Sequence, residues 1–197
     1  MRKTVDKLIS WTGIIMAVIL LTAGGLMTYA SNFIDNQVSE QLSQQDITMP
    51  AAAALQTQEQ KDALLQYAGQ KMTTGDQAKA FADHYILVHM NAASNNRTYE
   101  EVSSEFMTMS KDANADQAKV QELGQLRQTL FMGNTLRGLL LNAYAFGTMG
   151  TVAGIAAVVA YVGAGILFVL GFLGLRHSKK ATDNVYVAAA QPAPALG

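Results

Sequence analysis

Two long stretches without a charged side chain dominate the pattern of hydrophobic and polar positions. The first runs from Leu8 to Ala30, and the second lies between Arg137 and Arg176. A helix needs about 20 apolar residues to cross a hydrocarbon core of about 30 Å, and both stretches are at least this long. The pattern therefore predicts two transmembrane helices, which we place at residues 8–30 and 151–175.

The second stretch is longer than one span requires. At a rise of about 1.5 Å per residue, a helix that covers the whole stretch would be about 57 Å long, so part of it must lie outside the lipid. Residues 138–150 are then either the protruding end of the same helix or a hinge, because Gly147, Gly150 and Gly154 lower the helix propensity here. Small residues favour close packing of the two spans. The contacts we expect are those of Gly24 and Gly25 with Gly150, Gly154 or Gly163.

Basic residues flank both stretches: Arg2, Lys3 and Lys7 precede the first, and Arg176, Lys179 and Lys180 follow the second. By the positive-inside rule, residues 1–7 and the tail 176–197 are predicted to be cytoplasmic, and residues 31–150 are predicted to be extracytoplasmic, on the outer side of the cell membrane. The tail is rich in Ala and Pro, and we expect it to be disordered. A signal peptide cleaved before Ser31 is an alternative for the first stretch, although its apolar run exceeds the ~7–15 residues that are typical.

The residues between the two spans are predicted to form helices. Three segments have the residue pattern of a capping box, in which a Thr precedes a helix and a Gln or Glu follows three residues later: Thr57 with Gln60, Thr74 with Gln77, and Thr98 with Glu101. A fourth helix is expected to start near Asp112, with an apolar face formed by Leu123, Leu126 and Leu130. The chain is therefore predicted to be an all-α membrane protein, in which two transmembrane helices flank a small extracytoplasmic antiparallel helical domain.

Composition and charge exclude several classes of protein. The absence of cysteine excludes disulfide frameworks, thiolate metal sites and cysteine nucleophiles. Residues 31–138 contain 13 acidic and 8 basic residues, a net charge of -5, so the domain between the spans is mildly acidic. Outside the membrane flanks there is no basic patch, which makes nucleic acid a poor candidate partner.

The segment FADHYILVHM contains two of the three histidines, His84 and His89, which are candidate metal ligands. On a regular α-helix, residues five apart are separated by about 140°, whereas histidines that chelate from one helix usually stand three or four apart. The two histidines should therefore flank the apolar stripe of Phe81, Tyr85 and Val88, and Asp83 should point away from both. His177 is predicted to lie across the membrane. We therefore predict no catalytic, cofactor-binding or metal-binding residues, and no cofactor.

Three segments resemble a family of small actinobacterial two-span membrane proteins that are commonly labelled "aromatic ring-opening dioxygenase LigA". These segments are MRKTVDKLISWTGIIMAVILLTAGGLMTYASNFIDNQV, YAGQKMTTGDQAKAFADHYILVHM and LRGLLLNAYAFGTMG. The resemblance implies the same two-span architecture and carries over no functional residue, because the family has no motif with an established role. The label would need a metal constellation that these residues do not form, so we interpret it as a misannotation.

These observations lead to one main hypothesis and two alternatives. The main hypothesis is a non-enzymatic protein of the lipid bilayer, whose helical outer domain binds an envelope partner or associates with itself. The first alternative is a sensor-like ectodomain that acts through a separate signalling partner, since the tail after Leu175 is too short for an output domain. The second, which we disfavour, is a metal-dependent ring-opening dioxygenase that uses His84 and His89.

Overall fold

The computed structural model describes residues 2–180, and within them all regular structure is helical apart from one isolated antiparallel bridge between Thr48 and Lys71. The predicted all-α class is confirmed. The α-helices of the described part are α1 (Arg2–Gln44), α2 (Gln58–Leu64), α3 (Gly75–Phe81), α4 (Leu87–Ser94), α5 (Tyr99–Met109) and α6 (Gln117–Lys180). Two short 3-10 turns span Ala52–Ala54 and Leu65–Tyr67, and a π turn, Ala82–Ile86, joins α3 to α4. Most of the predicted disordered tail, residues 181–197, lies outside the described residues.

Helices α1 and α6 are each long and apolar enough to cross a membrane. Only 17% of the most apolar 18-residue window of each helix is buried, so their apolar side chains face outwards. A core helix of a water-soluble domain would bury most of this surface. Helix α6 is continuous from Gln117 to Lys180. Residues 138–150 therefore belong to the same helix as the predicted second span, and the alternative of a hinge is wrong.

The chain divides into two compact units, and the first comprises, among described residues, 2–27 and 155–180. In this unit α1 and α6 run antiparallel, with Ser10 beside Gly171 and Gly174, Leu20 beside Gly163, and Gly24 beside Tyr161. The buried small residues recur every seven positions, as Ser10 and Ala17 in α1, and as Ala157, Ala164, Gly171 and Ser178 in α6. A repeat of seven keeps one seam of each helix against the other, and small residues let the two backbones approach.

The predicted glycine contacts between the spans are wrong in detail. A Cβ added to Gly24 would lie 2.8 Å from a ring carbon of Tyr161, and nothing lies within 4 Å of Gly25. Gly163 is next to the Leu20 side chain. Gly24 and Gly163 therefore each face a larger side chain, whereas Gly13 is the glycine of α1 that lies next to a glycine of α6, with a Cβ added to it 3.9 Å from the Gly171 Cα.

The second unit, residues 28–154, is built around the part of α6 that it contains. Three glycines of α6 lie at points where α3, α4 and α5 contact it: Gly124 meets the Phe106 ring of α5, Gly133 meets the Met90 side chain of α4, and Gly147 meets the backbone of Gly75 in α3. Of the glycines that were expected to weaken this helix, Gly147 is thus one of its contact points. At all three glycines, the lack of a side chain lets neighbouring helices pack directly on the α6 backbone.

The three predicted capping boxes are confirmed. In each, the Thr side chain accepts a hydrogen bond from the backbone N–H three residues later, and the Gln or Glu side chain accepts one from the backbone N–H of the Thr. Helix α6 begins at Gln117 rather than near Asp112, because Asp116 caps it by accepting a bond of 2.9 Å from the backbone N–H of Ala118.

Two apolar clusters form the core of the second unit. The larger consists of Val38, Leu42, Met49, Leu55, Leu64, Met72, Ala78, Ala82 and Leu140. In the smaller cluster, Leu123 and Leu130 pack with Met90 and Val102, and Leu126 lies partly buried against them. The predicted apolar face at the start of α6 is therefore confirmed.

The close approach of α3 to α6 predicts opposite effects for two Gly→Ala substitutions. In Gly75→Ala the new Cβ would lie 2.9 Å from the Tyr144 Cα and 3.0 Å from the Ala143 carbonyl oxygen. The backbone must move, and we expect a loss of about 1–3 kcal/mol in unfolding free energy. Gly138 has nothing within 4 Å, so Gly138→Ala should stabilise the helix by about 0.5–1 kcal/mol. Thermal unfolding of both variants in neutral detergent would test this, and equal shifts would contradict the proposed contact.

Candidate functional site

Three charged side chains of the second unit bond to one another where α3 meets α6. The Lys79 Nζ lies 2.5 Å from the Asp83 Oδ2, and the Arg137 Nη2 lies 2.9 Å from the Asp83 Oδ1. The side chains of Asp83 and Arg137 are only 21% and 22% exposed, so this is a partly buried ion cluster. The Lys79 ammonium also lies 5.4 Å from the centre of the Tyr144 ring of α6.

Arg137 also binds the main chain of the π turn. Its Nε donates a hydrogen bond of 3.0 Å to the carbonyl oxygen of Ala82, which in addition accepts the backbone N–H of Leu87. That second bond spans five residues rather than four, so the turn is wider than in an α-helix. One guanidinium on α6 therefore holds both the carboxylate and a carbonyl oxygen of the π turn.

The charges of the cluster stabilise each other. Burial by itself raises the pKa of Asp83, but the hydrogen bonds and positive charges of Lys79 and Arg137 outweigh burial and hold this pKa below its ordinary value. The hydrogen bond to Asp83 raises the pKa of Lys79, against a smaller effect of burial. Lys79 and Asp83 are therefore charged at neutral pH, and each has its partner within the cluster.

The two histidines of this segment bond to different groups. The His84 Nδ1 lies 3.2 Å from the Glu59 Oε1 of α2, and the His89 Nδ1 lies 2.7 Å from the Tyr85 carbonyl oxygen. The expected position of His89 on one flank of the apolar stripe is wrong, because the π turn breaks the α-helical period. The rings of Phe81, Tyr85 and His89 instead form one row, with centroids 4.9 and 4.3 Å apart.

No metal-binding cluster is present in the part of the chain that the structure describes. Among residues 2–180, no group of three or more His, Cys, Asp and Glu side chains is placed to hold a metal ion. Asp83 bonds to Lys79 and Arg137 rather than to either histidine. His177 belongs to the first unit, where it lines a cleft with Asp6 and Ser10. The candidate metal ligands of the sequence are thus not brought together.

A groove in the second unit is the candidate interaction site. It has a volume of about 470 Å³ and lies between α1 and α6. Helix α1 contributes Phe33, Ile34, Gln37, Val38, Gln41 and Leu42, the turn after it contributes Gln45, and α6 contributes Leu139, Asn142, Ala143 and Phe146. Phe33, Leu139 and Phe146 are each more than half exposed, so the groove offers apolar surface directly to its surroundings.

The lining of this groove combines apolar side chains with amides and contains no charged residue. Gln37 and Gln41 are four residues apart and lie on one face of α1, and Gln45 follows four residues later, in the turn after the helix. Val38 and Leu42 form the neighbouring row and are buried in the core. The sequence prediction missed this site. The pattern that could have indicated it is a series of amides every four residues, next to a series of buried apolar residues at the same spacing.

Comparison with protein-family models, with curated proteins and with solved structures gives no match.

The lowered pKa of Asp83 predicts a specific loss of stability in acid. A carboxyl whose pKa is lowered by folding contributes stability above its unfolded-state pKa, near 3.9, and this stability is lost as the pH falls through the folded-state value. We expect Asp83→Asn to lower the melting temperature at about pH 6 and to reduce the further drop between about pH 4 and pH 2.5. The measurement is thermal unfolding of the purified protein across this range.

The matched control for this experiment is Asp62→Asn, since the Asp62 carboxylate is exposed and accepts a hydrogen bond from the Gln58 amide of its own helix. This variant should retain the wild-type pH profile. Superimposable profiles for the wild type and Asp83→Asn would show that the cluster does not stabilise the fold.

Proposed function

We propose that the chain is a two-span protein of the cell membrane with both termini in the cytoplasm and a helical domain outside, which associates with a second copy of itself. We propose further that it is not an enzyme. Binding of a different envelope partner by the same groove is the competing form of this proposal.

Two observations support insertion into a membrane. Apolar side chains along α1 and α6 are exposed, such as Leu8 at 70% and Val159 at 66%, and lipid is the solvent that such surface prefers. Basic residues flank the uncharged stretches, and by the positive-inside rule they favour a cytoplasmic position for both ends of the chain. The first stretch is best explained as a retained anchor, because Ser31 lies inside the continuous helix α1, and its Oγ donates a buried bond of 2.8 Å to the Gly150 carbonyl oxygen.

The groove between α1 and α6 is the observation that carries the proposal of self-association. Residues 31–138 have a net charge of -5, so two copies would repel each other across most surfaces of the domain. The groove contains no charge, and its exposed apolar side chains gain from being covered. Its amides both donate and accept hydrogen bonds. An amide-and-apolar surface can therefore complement itself across a two-fold axis, as a dimer of identical chains requires.

The ion cluster of the second unit supports a structural role rather than catalysis. Lys79, Asp83 and Arg137 bond to one another and to the Ala82 carbonyl oxygen. A catalytic acid or base needs to reach a substrate, whereas these three groups are engaged in joining α3 to α6.

Introducing a charge into the groove tests the proposal. Gln41→Glu would bring two like charges together across a dimer interface, and we expect the dimer to dissociate about tenfold more readily or to be lost. The matched control is Gln66→Glu, since the exposed Gln66 does not line the groove. The measurement is the mass of the purified full chain by light scattering in mild detergent, over a range of concentrations.

A wild-type chain that stays monomeric at all concentrations would contradict self-association, as would a dimer that Gln41→Glu leaves intact. A monomer that retains one envelope protein in equal amount, and loses it in Gln41→Glu but not in Gln66→Glu, would establish the competing form.

A further inference from the structure

A second groove lies in the first unit, between the beginning of α1 and the end of α6, and four basic side chains line it: Lys3, Lys7, Arg176 and Lys179. Its volume is about 690 Å³, which is within the range of ligand sites. The same groove is lined by Trp11 and Phe172. It therefore combines converging positive charge with aromatic surface.

The four positive charges of this groove have no ion-pair partner among the described residues. The described ion pairs all involve the second unit, and the nearest acidic residue in sequence, Asp6, lines a different cleft. Like charges that converge on one groove repel each other, and a bound anion relieves this repulsion. The groove thus favours a negatively charged occupant.

The aromatic side chains narrow the class of occupant. Trp11 is 56% exposed and Phe172 is 57% exposed, and both lie beside the basic groups. A free phosphate ion has no apolar atoms that could pack against this surface. A phospholipid would place its headgroup phosphate among the amines and its glycerol and first acyl carbons against the rings, and basic pockets between membrane helices bind such headgroups.

We propose that this groove is a binding site for one anionic phospholipid. The inference rests on the proposed insertion into a membrane. Lys7 on α1 and Arg176 on α6 would then be bridged by one headgroup, so that the bound lipid holds the ends of the two helices of this unit together.

The test uses the full chain, purified in neutral detergent, with phosphatidylglycerol as the probe. Native mass spectrometry should show one bound phosphatidylglycerol and markedly less phosphatidylcholine at the same concentration. We expect the double variant Lys7→Gln/Arg176→Gln to bind phosphatidylglycerol about 30-fold more weakly, from about 1 kcal/mol for each basic residue lost. The matched control, Lys111→Gln/Lys119→Gln, removes two exposed lysines of the second unit and should bind as the wild type does.

Three outcomes would overturn the proposal: equal binding of the two lipids, unchanged binding in the Lys7/Arg176 variant, or displacement of phosphatidylglycerol by an equal concentration of glycerol phosphate, which would indicate a site for a soluble phosphate. Trp11→Ala should weaken binding of the lipid while leaving that of glycerol phosphate unchanged. Extraction of native membranes with alkali tests insertion separately. A chain that resists extraction but shows no lipid preference would contradict only the lipid site, whereas a chain that is extracted would contradict membrane insertion itself.

Discussion

The apolar surface that α1 and α6 leave uncovered is the constraint on which the rest of the molecule depends. Leu26 is 67% exposed and Ile9 is 65% exposed, and in water each square ångström of such surface would cost about 25 cal/mol. In lipid this cost disappears, and so does the hydrophobic drive that would press two helices together. The contact between α1 and α6 in the first unit contains small residues in a seven-residue repeat, which bring the backbones close enough for dispersion forces to act.

In the second unit, one polar interaction fixes the orientation of a packed helix that apolar contacts alone would define less well. The Arg137 guanidinium binds the Asp83 carboxylate and the Ala82 carbonyl oxygen at once. Ala82 is fully buried in the larger core cluster, so this interaction fixes the packed helix against α6 at a defined rotation. Burying a charge is costly unless the charge is paired. Here the Arg137 guanidinium is paired with a carboxylate of the π turn and also binds a carbonyl oxygen of the same turn.

Local features of the fold could be predicted from the sequence, whereas features that need distant partners could not. The capping boxes at Thr57, Thr74 and Thr98 formed as expected, because each depends on residues only three positions apart. The π turn was not predictable, because it is bound by Arg137, which lies far along the chain in a different helix. The groove was missed for the same reason, since its amides line a groove only together with residues of α6. The histidines were excluded as a metal pair on regular helical geometry, which this segment does not follow.

The most direct test of the account is the position of the central domain relative to the membrane. The chain has no cysteine, so a single introduced cysteine is a unique label. Glu122→Cys lies in the central domain, and Thr4→Cys and Thr182→Cys mark the two ends.

The account predicts that a membrane-impermeant maleimide labels Glu122→Cys in intact cells, and that it labels Thr4→Cys and Thr182→Cys only after the membrane is permeabilised. Labelling of either end in intact cells, protection of Glu122→Cys, or loss of Thr4→Cys from the mature chain would contradict it.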